Sequence, residues 1–488
     1  MTTLARAIAV LGAVSVIGTA TQVAKGKLGA ELLGAAGVGV LSQLTTLYSL
    51  LFVIAGLGFF NGMMRQITEA VKDGDGSQAR AQMNSVTLFL GAASLIITVG
   101  CIAGSAWISD LLFGDGGARA PYVALVVLAV PIAVQQRVFR AFLNATRDLR
   151  AISRAQVAAD VGSVVLFAIG AWMFGIWGAI FAFIGMHALL CLGMVTFAVR
   201  SGGVGLALPD LRRFSWAEIV PNFGYGANGL IMTAVASGTM IMVTRMAISH
   251  GGLAEAGIFS VAFKIATVYL GALYAAAGAY YFPTLVRISD TRSLEQEANQ
   301  AVALYMAILP PVIVGLIVFG DFLIPLLFSE EFRPAVIVMS GLLFGDIFRV
   351  ASETMGLTLL ARRHLLPYTS LYLVYAAGFV GLAGWLIPTR GLTGIAIAYV
   401  AMHTANFIFV LVACHRSLGI RLTREGLQSF ALAILVVGPT VFAEFLGATL
   451  LTKFAVAAGT GLLWLALSWR LPEFSRLRAA AQRGLRLQ

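Results

Sequence analysis

Charge is scarce in this chain. Asp, Glu, Lys and Arg make up 11% of its 488 residues, and only 22 of the charged residues are acids against 33 Lys and Arg. Soluble domains carry about a quarter charged residues, so the composition excludes a soluble protein with an oversized core. Cysteine is nearly absent. Cys101, Cys191 and Cys414 all fall inside apolar runs, which excludes a disulfide framework. The five histidines form no Cys/His cluster at ligand spacing, so no metal or cofactor is expected. No polar stretch is long enough for a separate soluble domain. Neither an extended loop nor a carboxylate pair suited to glycosyl chemistry is evident, and the chain reads as a non-enzyme. The apolar run at the N-terminus continues too far for a signal peptide and reads as a first span.

What fills the chain is hydrophobic sequence, 59% of residues, with a mean hydropathy of +0.91. Runs of bilayer-crossing length recur near 6–33, 38–64, 83–108, 120–146, 152–174, 176–199, 222–248, 256–286, 299–327, 334–361, 366–387, 392–414, 425–445 and 447–469. They predict an all-α integral membrane protein of fourteen spans, expected as a monomer among membrane lipids. The net charge of +11 reflects basic loops on the cytoplasmic side rather than nucleic-acid binding. With the N-terminus in the cytoplasm, 25 Lys and Arg fall on inner segments and 7 on outer segments or outer span ends. That bias predicts both termini inside and an even number of spans. The tail 470–488 carries five arginines among apolar residues, as a basic amphipathic helix on the inner leaflet would, although a disordered basic tail has the same composition.

The sequence also repeats. Ser109-Asp110-Leu111-Leu112-Phe113-Gly114-Asp115 is similar to Ile324-Pro325-Leu326-Leu327-Phe328-Ser329-Glu330, displaced by 215 residues, and the same displacement sets Arg147 on Arg362. Gly175-Ile176-Trp177-Gly178 matches Gly391-Leu392-Thr393-Gly394, and Met186-His187 matches Met402-His403, both displaced by 216. Val23-Ala24-Lys25 falls on Val243-Thr244-Arg245, displaced by 220. Five matches in order predict two six-helix lobes, 1–205 and 206–420. An even number of spans per lobe gives both the same orientation, so the pseudo-two-fold axis runs along the membrane normal. Two further transmembrane helices (421–469) and the basic tail lie outside the repeat. Such an architecture is the usual one for a transporter with its cavity between halves.

Cations at membrane depth are the candidates for function, because burying one costs several kcal/mol unless an anion, water or the interface receives it. Lys25, Lys27, Arg245 and Lys264 lie within spans or at their outer ends. Lys264 is the deepest, roughly 12 Å into its helix at the α-helical rise. Lys25 and Lys27 point to different faces at about 100° per residue, so only one easily looks inward. The bland alternative for all four is snorkelling to the headgroups. Asn61 and Arg65 sit one turn apart at the inner end of the second span. Asp346 and Arg349, three apart, can pair on one face. Asp160 fits either a proton-coupling carboxylate or the partner of Arg154. His187 and His403 occupy equivalent places in the two halves and read as hydrogen-bonded structural residues.

Several phrases resemble a known family. Gly34-Ala35-Ala36-Gly37-Val38-Gly39 and Ala55-Gly56-Leu57-Gly58-Phe59-Phe60-Asn61-Gly62 are similar to the start of lipid-linked oligosaccharide flippases of the O-antigen and enterobacterial common antigen type. The likeness continues at Gly257-Ile258-Phe259-Ser260-Val261-Ala262-Phe263-Lys264, Phe282-Pro283-Thr284-Leu285-Val286-Arg287, Gly345-Asp346-Ile347-Phe348-Arg349 and Trp385-Leu386-Ile387-Pro388. That family is the polysaccharide-transporter branch of the multidrug/oligosaccharidyl-lipid/polysaccharide flippase superfamily. The resemblance implies a two-lobed bundle in the bacterial inner membrane, working by alternating access. Its substrate would be an oligosaccharide on undecaprenyl pyrophosphate, turned from the cytoplasmic to the periplasmic leaflet for cell-surface polysaccharide biosynthesis. A polysaccharide polymerase or chain-length protein would be its partner. Substrate binding would fall to Lys25, Lys27, Arg245, Lys264, Asn61 and Arg65, and coupling or gating to Asp346, Arg349 and Asp160. The two additional C-terminal spans depart from the family pattern and match a peptidoglycan-precursor flippase. An ion-coupled multidrug exporter is the other alternative, but its cationic drugs need buried carboxylates, whereas the deep charges here are mainly basic.

Overall fold

The computed structural model describes residues 3–200, 210–276 and 280–468, with the side chains of 3–13, 61, 224–228, 269 and 272–276 outside the described set. The basic tail 470–488 lies outside the described residues too. No strand occurs among the described residues. Lipid offers a backbone no hydrogen bonds, so every spanning segment must satisfy its own N–H and C=O groups, and runs of this hydropathy fold as helices. The helices are α1 (Thr3–Gly56), α2 (Phe60–Lys72), α3 (Gly76–Ala103), α4 (Ser105–Phe113), α5 (Ala120–Val126) and α6 (Ala129–Ala145). They continue as α7 (Leu149–Phe174), α8 (Ile176–Arg200), α9 (Phe223–Gly251), α10 (Leu253–Ala276), α11 (Phe282–Arg287) and α12 (Thr291–Val318). The last six are α13 (Gly320–Leu327), α14 (Ala335–Ala361), α15 (Leu365–Arg390), α16 (Leu392–Leu418), α17 (Arg424–Phe445) and α18 (Leu450–Ser468). Among the described residues, 12 helices are long and apolar enough to cross a membrane. The chain is a multi-pass helical membrane protein.

Polar residues mark where the spans begin. Asp75, Asp148, Asp290 and Thr423 cap α3, α7, α12 and α17 by accepting from backbone N–H groups of the first turn. The span expected over 120–146 is divided into α5 and α6. Pro131 has no N–H to give the Val127 carbonyl, so the backbone tightens there. Val130 N–H donates to Val127 O at 3.0 Å, and the Thr98 hydroxyl of α3 donates to the same oxygen at 3.4 Å. The first two expected spans run together as α1, broken at Gly34 (φ 65°, ψ −176°). The second stops at Gly56 rather than 64, where Leu57 (φ 47°) and Gly58 (φ 68°) turn the chain into the amphipathic α2.

Local geometry repeats at the displacement that the sequence shows. Helix α6 ends in a left-handed Arg147 (φ 59°), and α14 ends in a left-handed Arg363 (φ 59°). Asp148 N–H then reaches back to Leu143 O and His364 N–H to Leu359 O, both at 2.9 Å, the same closing bond of a Schellman motif. Arg147 thus corresponds to Arg363, one residue beyond the Arg362 expected from the shorter displacement. Gly175 (φ 57°, ψ −131°) and Gly391 (φ 55°, ψ −141°) make the same turn between α7 and α8 and between α15 and α16. After each turn the second helix runs so close to the first that a Cβ on Gly178 would stand 1.8 Å from Gly170 O, and one on Gly394 2.8 Å from Leu386 O.

The chain folds into two compact units, Met1–Gly257 and Ile258–Gln488. In the first, α7 packs along α8, α6 along α8 and α1 along α7. Its core includes Leu44, Phe59, Met63, Val86, Val130, Phe142 and Met194. Gly34 and Gly252 (φ 83°, ψ −172°) share a conformation open essentially to glycine alone, and each starts a new helix segment. The two segments meet reciprocally. A Cβ on Gly39 would stand 2.2 Å from Leu253 O, and one on Gly257 would stand 2.0 Å from Ala35 O. Small residues one turn apart let the backbones touch, as at close-packed membrane helix crossings. Gly39→Ala and Gly257→Ala are each expected to cost about 2 kcal/mol through this overpacking. Gly381→Ala, with nothing within 4 Å of the new methyl, should not destabilise. Thermal unfolding in detergent measures the difference, and equal midpoints for all three variants would refute the contact's tightness.

In the second unit α14 is central. It packs on α16, where Gly341 lies against Ala396 and Gly345 against Tyr399, and also on α12 and α17. Helix α18 is little buried, with Leu451 and Leu462 turned outward. Its lysine is the exception. Lys453 Nζ lies 2.7 Å from Asp321 of α13 and 2.6 Å from Glu444 of α17, with its side chain 5% exposed. By sequence Lys453 falls among the outer-end cations; in the structure it fastens the last two helices to the unit. Removing one partner of a buried pair leaves uncompensated charge, so Lys453→Ala should cost about 3 kcal/mol. An unchanged unfolding midpoint in detergent would show that apolar packing alone holds α18.

Candidate functional site

Apart from Lys27, Arg245 and Lys264, the predicted site residues fall into three places, two in the first unit. Lys25 of α1 is half-buried against α7 and α8. Its ammonium donates to the Ser163 hydroxyl at 3.1 Å and approaches Met186 Sδ at 3.4 Å. The Ser163 hydroxyl in turn donates to the Asp160 backbone O at 2.7 Å, and the Asp160 carboxylate accepts from Gln156 at 3.2 Å. Asp160 and His187 both stand within Coulombic reach of Lys25. Asp160 therefore answers to Gln156 and Lys25, and among the described residues Arg154 is not its partner. His187 is buried, with Nδ1 3.5 Å from the Tyr48 hydroxyl and no partner for Nε2 among the described residues. Lys27 points elsewhere and pairs with Glu31 at 3.1 Å on the surface. Of the two lysines, Lys25 is the one turned toward α7 and α8, while Lys27 pairs along its own helix.

The second place lies where α1 breaks. A cavity of about 390 Å³ is walled by Phe52, Gly56, Gly58, Phe60, Leu90, Val134, Arg137 and Gly229. The Arg137 guanidinium sits over two of these rings, 5.1 Å from the Phe52 centroid and 4.7 Å from that of Phe60. Asn61 adjoins this break, but its side chain lies outside the described residues. Arg65, one turn on, is exposed and pairs with Glu69 at 2.8 Å. Charge counting assigns Arg137 to a cytoplasmic segment; it lies within α6 instead, its half-buried side chain on the cavity wall. The sequence does carry a signal for this. Arg137 follows Val134 by three residues and precedes Ala141 by four, which puts it on the helix face that packs inward.

Arg245 of α9 is half-buried against the end of α4. Gly114 there is left-handed (φ 63°), and a Cβ on it would stand 1.8 Å from the guanidinium, so only glycine leaves room for Arg245. Buried Gln43 ties the same corner, donating to Leu112 O at 3.0 Å and Ile241 O at 3.4 Å. In the following loop, burial raises the Asp115 pKa. Hydrogen bonds from the Ser109 hydroxyl, Gly117 N–H and Arg119 outweigh it and hold the carboxyl below its ordinary value.

The third place is in the second unit. Asp346 of α14 is fully buried and accepts from the Tyr399 hydroxyl at 2.7 Å. Arg349 donates to the same hydroxyl at 3.3 Å, stands 3.9 Å from Asp346 and bonds Glu353 at 2.9 Å. His403 is buried against the rings of Tyr375 and Tyr399, both at 4.3 Å, with Nδ1 unpartnered among the described residues. Sequence reasoning pairs Asp346 with Arg349 and misses Glu353 and Tyr399. The i,i+4 spacing of Arg349 and Glu353 is the available sign of the first. Lys264 of α10 is half-buried in this unit and makes contacts of its own. No group of three His, Cys, Asp or Glu able to hold a metal occurs among the described residues.

Chains named Lipid III flippase from Escherichia coli (strain K12) and Shigella flexneri are each 24% identical over 391 residues, covering 78% of this chain and 91% of theirs. Among solved structures, an inward-facing multidrug resistance MATE family transporter of the MOP superfamily superposes with a TM-score of 0.67 at 19% identity, over 82% of this chain and 94% of that one. The lipid II flippase MurJ in an inward closed conformation superposes with a TM-score of 0.65 at 12% identity, over 95% and 98% of the two chains. The fold is therefore that of the MOP superfamily transporters. A match over residues 30–337 to the family described as Polysaccharide biosynthesis protein covers more than half the sequence, and the chain belongs to that family.

Proposed function

We propose that the chain is a flippase for a lipid-linked oligosaccharide, a transporter rather than an enzyme. It turns an oligosaccharide on undecaprenyl pyrophosphate from the cytoplasmic to the periplasmic leaflet of the inner membrane by alternating access. The observation that carries the reading is the 24%-identical match, over 78% of this chain, to chains named Lipid III flippase. A pyrophosphate headgroup is the anion that half-buried cations attract, while the prenyl tail stays in lipid.

The architecture we infer has fourteen spans, both termini cytoplasmic, and six-helix lobes 1–205 and 206–420 related by an axis along the membrane normal, followed by the helix pair 421–469. Three observations favour it. Gly34 separates two spans within α1, and α10 is a further apolar helix of 24 residues. The Schellman endings and glycine turns recur at one displacement. The reciprocal meeting of Gly39 and Gly257 has the form that a two-fold relation produces.

For substrate binding we keep Lys25, Arg245 and Lys264. The exposed ion pairs of Lys27 and Arg65 favour headgroup snorkelling for those two. Asp160 beside Lys25, and Asp346 with Arg349, Glu353 and Tyr399, are the coupling or gating candidates. The rival substrate is a peptidoglycan precursor; the lipid II flippase MurJ superposes over 95% of this chain at 12% identity, which supports a common fold.

Reconstituted protein assayed with a panel of lipid-linked sugars discriminates these readings. Lys25→Ala, Arg245→Ala and Lys264→Ala are each expected to lower translocation about tenfold or more at equal protein level, and Lys264→Arg to keep part of the rate because charge survives. Parent-level flipping by all three alanine variants would remove the cations from the mechanism.

A further inference from the structure

We propose that Arg137 is a diphosphate-binding residue and that the cavity at the break between α1 and α2 is its anion subsite. The inference rests on the flippase reading and adds to it a residue and a place. Arg137 makes no hydrogen bond or ion pair with any described residue, although its side chain is half-buried in a membrane span. Its contacts are the faces of Phe52 and Phe60. A guanidinium held by ring faces keeps its in-plane N–H groups unspent, and those donors form the fork that fits phosphate oxygens two at a time. Arg140, one turn away, adds like charge rather than relief. Tyr48 is the other titratable group within electrostatic reach, and no acid among the described residues answers the pair.

The space beside the guanidinium suits an anion. The cavity of about 390 Å³ is within the range of small-ligand sites, and apart from Arg137 and Thr233 the described residues of its walls are apolar or glycine. In such a lining a cation attracts a dense anion strongly, because little water screens it. The glycines keep the space open. A Cβ on Gly56 or Gly229 would meet nothing within 4 Å. The turn at Leu57 and Gly58, both at positive φ, brings Phe60 to Arg137 alongside Phe52, so that the guanidinium lies over both rings.

The test is binding to purified full-length protein in detergent, followed by titration calorimetry. Undecaprenyl diphosphate should bind at least tenfold tighter than neutral undecaprenol. Arg137→Gln should lower that preference several-fold while leaving undecaprenol binding intact, and Arg137→Lys should keep part of it. Gly56→Leu, which fills the cavity and retains the arginine, should also lower the preference. This second variant keeps the test decisive if Arg137→Gln fails to fold. Competition by inorganic pyrophosphate would assign the site to the anion alone. Failure of pyrophosphate to compete, with the lipid still dependent on Arg137, would assign it to the lipid-borne diphosphate; both results support the subsite. Equal affinities in the parent, Arg137→Gln and Gly56→Leu would overturn it. Arg137-dependent binding without any flipping by the reconstituted parent would overturn the flippase reading instead, and flipping with Arg137-independent binding would overturn only the subsite.

Discussion

Two stretches of backbone touching through glycine set the geometry of the first unit. Helix pairs in a membrane gain little from hydrophobic burial, since lipid tails are as apolar as leucine, and association rests on close packing. At Ala35–Gly39 and Leu253–Gly257 that packing is closer than any side chain permits, with carbonyl oxygens where each Cβ would be. The contact is possible only because Gly34 and Gly252 take the same positive-φ conformation and redirect the helices that follow them. The direction in which α1 continues past Gly34 then decides where Phe52, Leu57 and Gly58 arrive, and hence where the cavity beside Arg137 opens.

Much of this is legible in the sequence, for a reason rooted in lipid. Because every spanning segment must be helical, length and hydropathy locate the spans, and a displaced repeat locates equivalent turns without knowledge of their contacts. The glycine turns at Gly175 and Gly391 are visible as similar phrases, and the structure gives them nearly the same φ and ψ. The pairing of Gly34–Gly39 with Gly252–Gly257 is also present in the letters, at a displacement of 218, between those of the longer matches. It escapes a reading by similarity because the intervening residues differ in charge, Gly37 against Glu255, while only the backbone positions are shared.

The charges are harder to read, because hydropathy assigns a cation to a span or a loop without saying what faces it. Arg137 counts with a cytoplasmic loop since Arg140, Arg147, Arg150 and Arg154 follow it closely. Lys453 looks like a snorkelling residue because its partners, Asp321 and Glu444, are 132 and 9 positions away. Lys25 and Lys27 differ by two residues, yet one reaches Ser163 across the bundle and the other pairs with Glu31 on its own helix. A lone charge in a span thus has three fates: an acid, a polar network or an unfilled cavity. Only tertiary contacts distinguish them.

The three fates are unevenly distributed, and that unevenness bears on how a transporter can move. Lys453 is neutralised by two carboxylates within one unit, so it holds α18 in place and offers nothing to a passing anion. Asp346 and Arg349 satisfy one another through Tyr399 and Glu353 and need no ligand to be stable. Arg137 is different. Its cost of burial is offset by two ring faces, a weaker compensation than a carboxylate at the same distance. A carboxylate there would compete with any phosphate, whereas aromatic faces hold the guanidinium without occupying its donors. A site that must bind an anion on one side of the membrane and release it on the other cannot be saturated by the protein's own acids. Of the charged positions within the described spans, Arg137 meets that condition most directly.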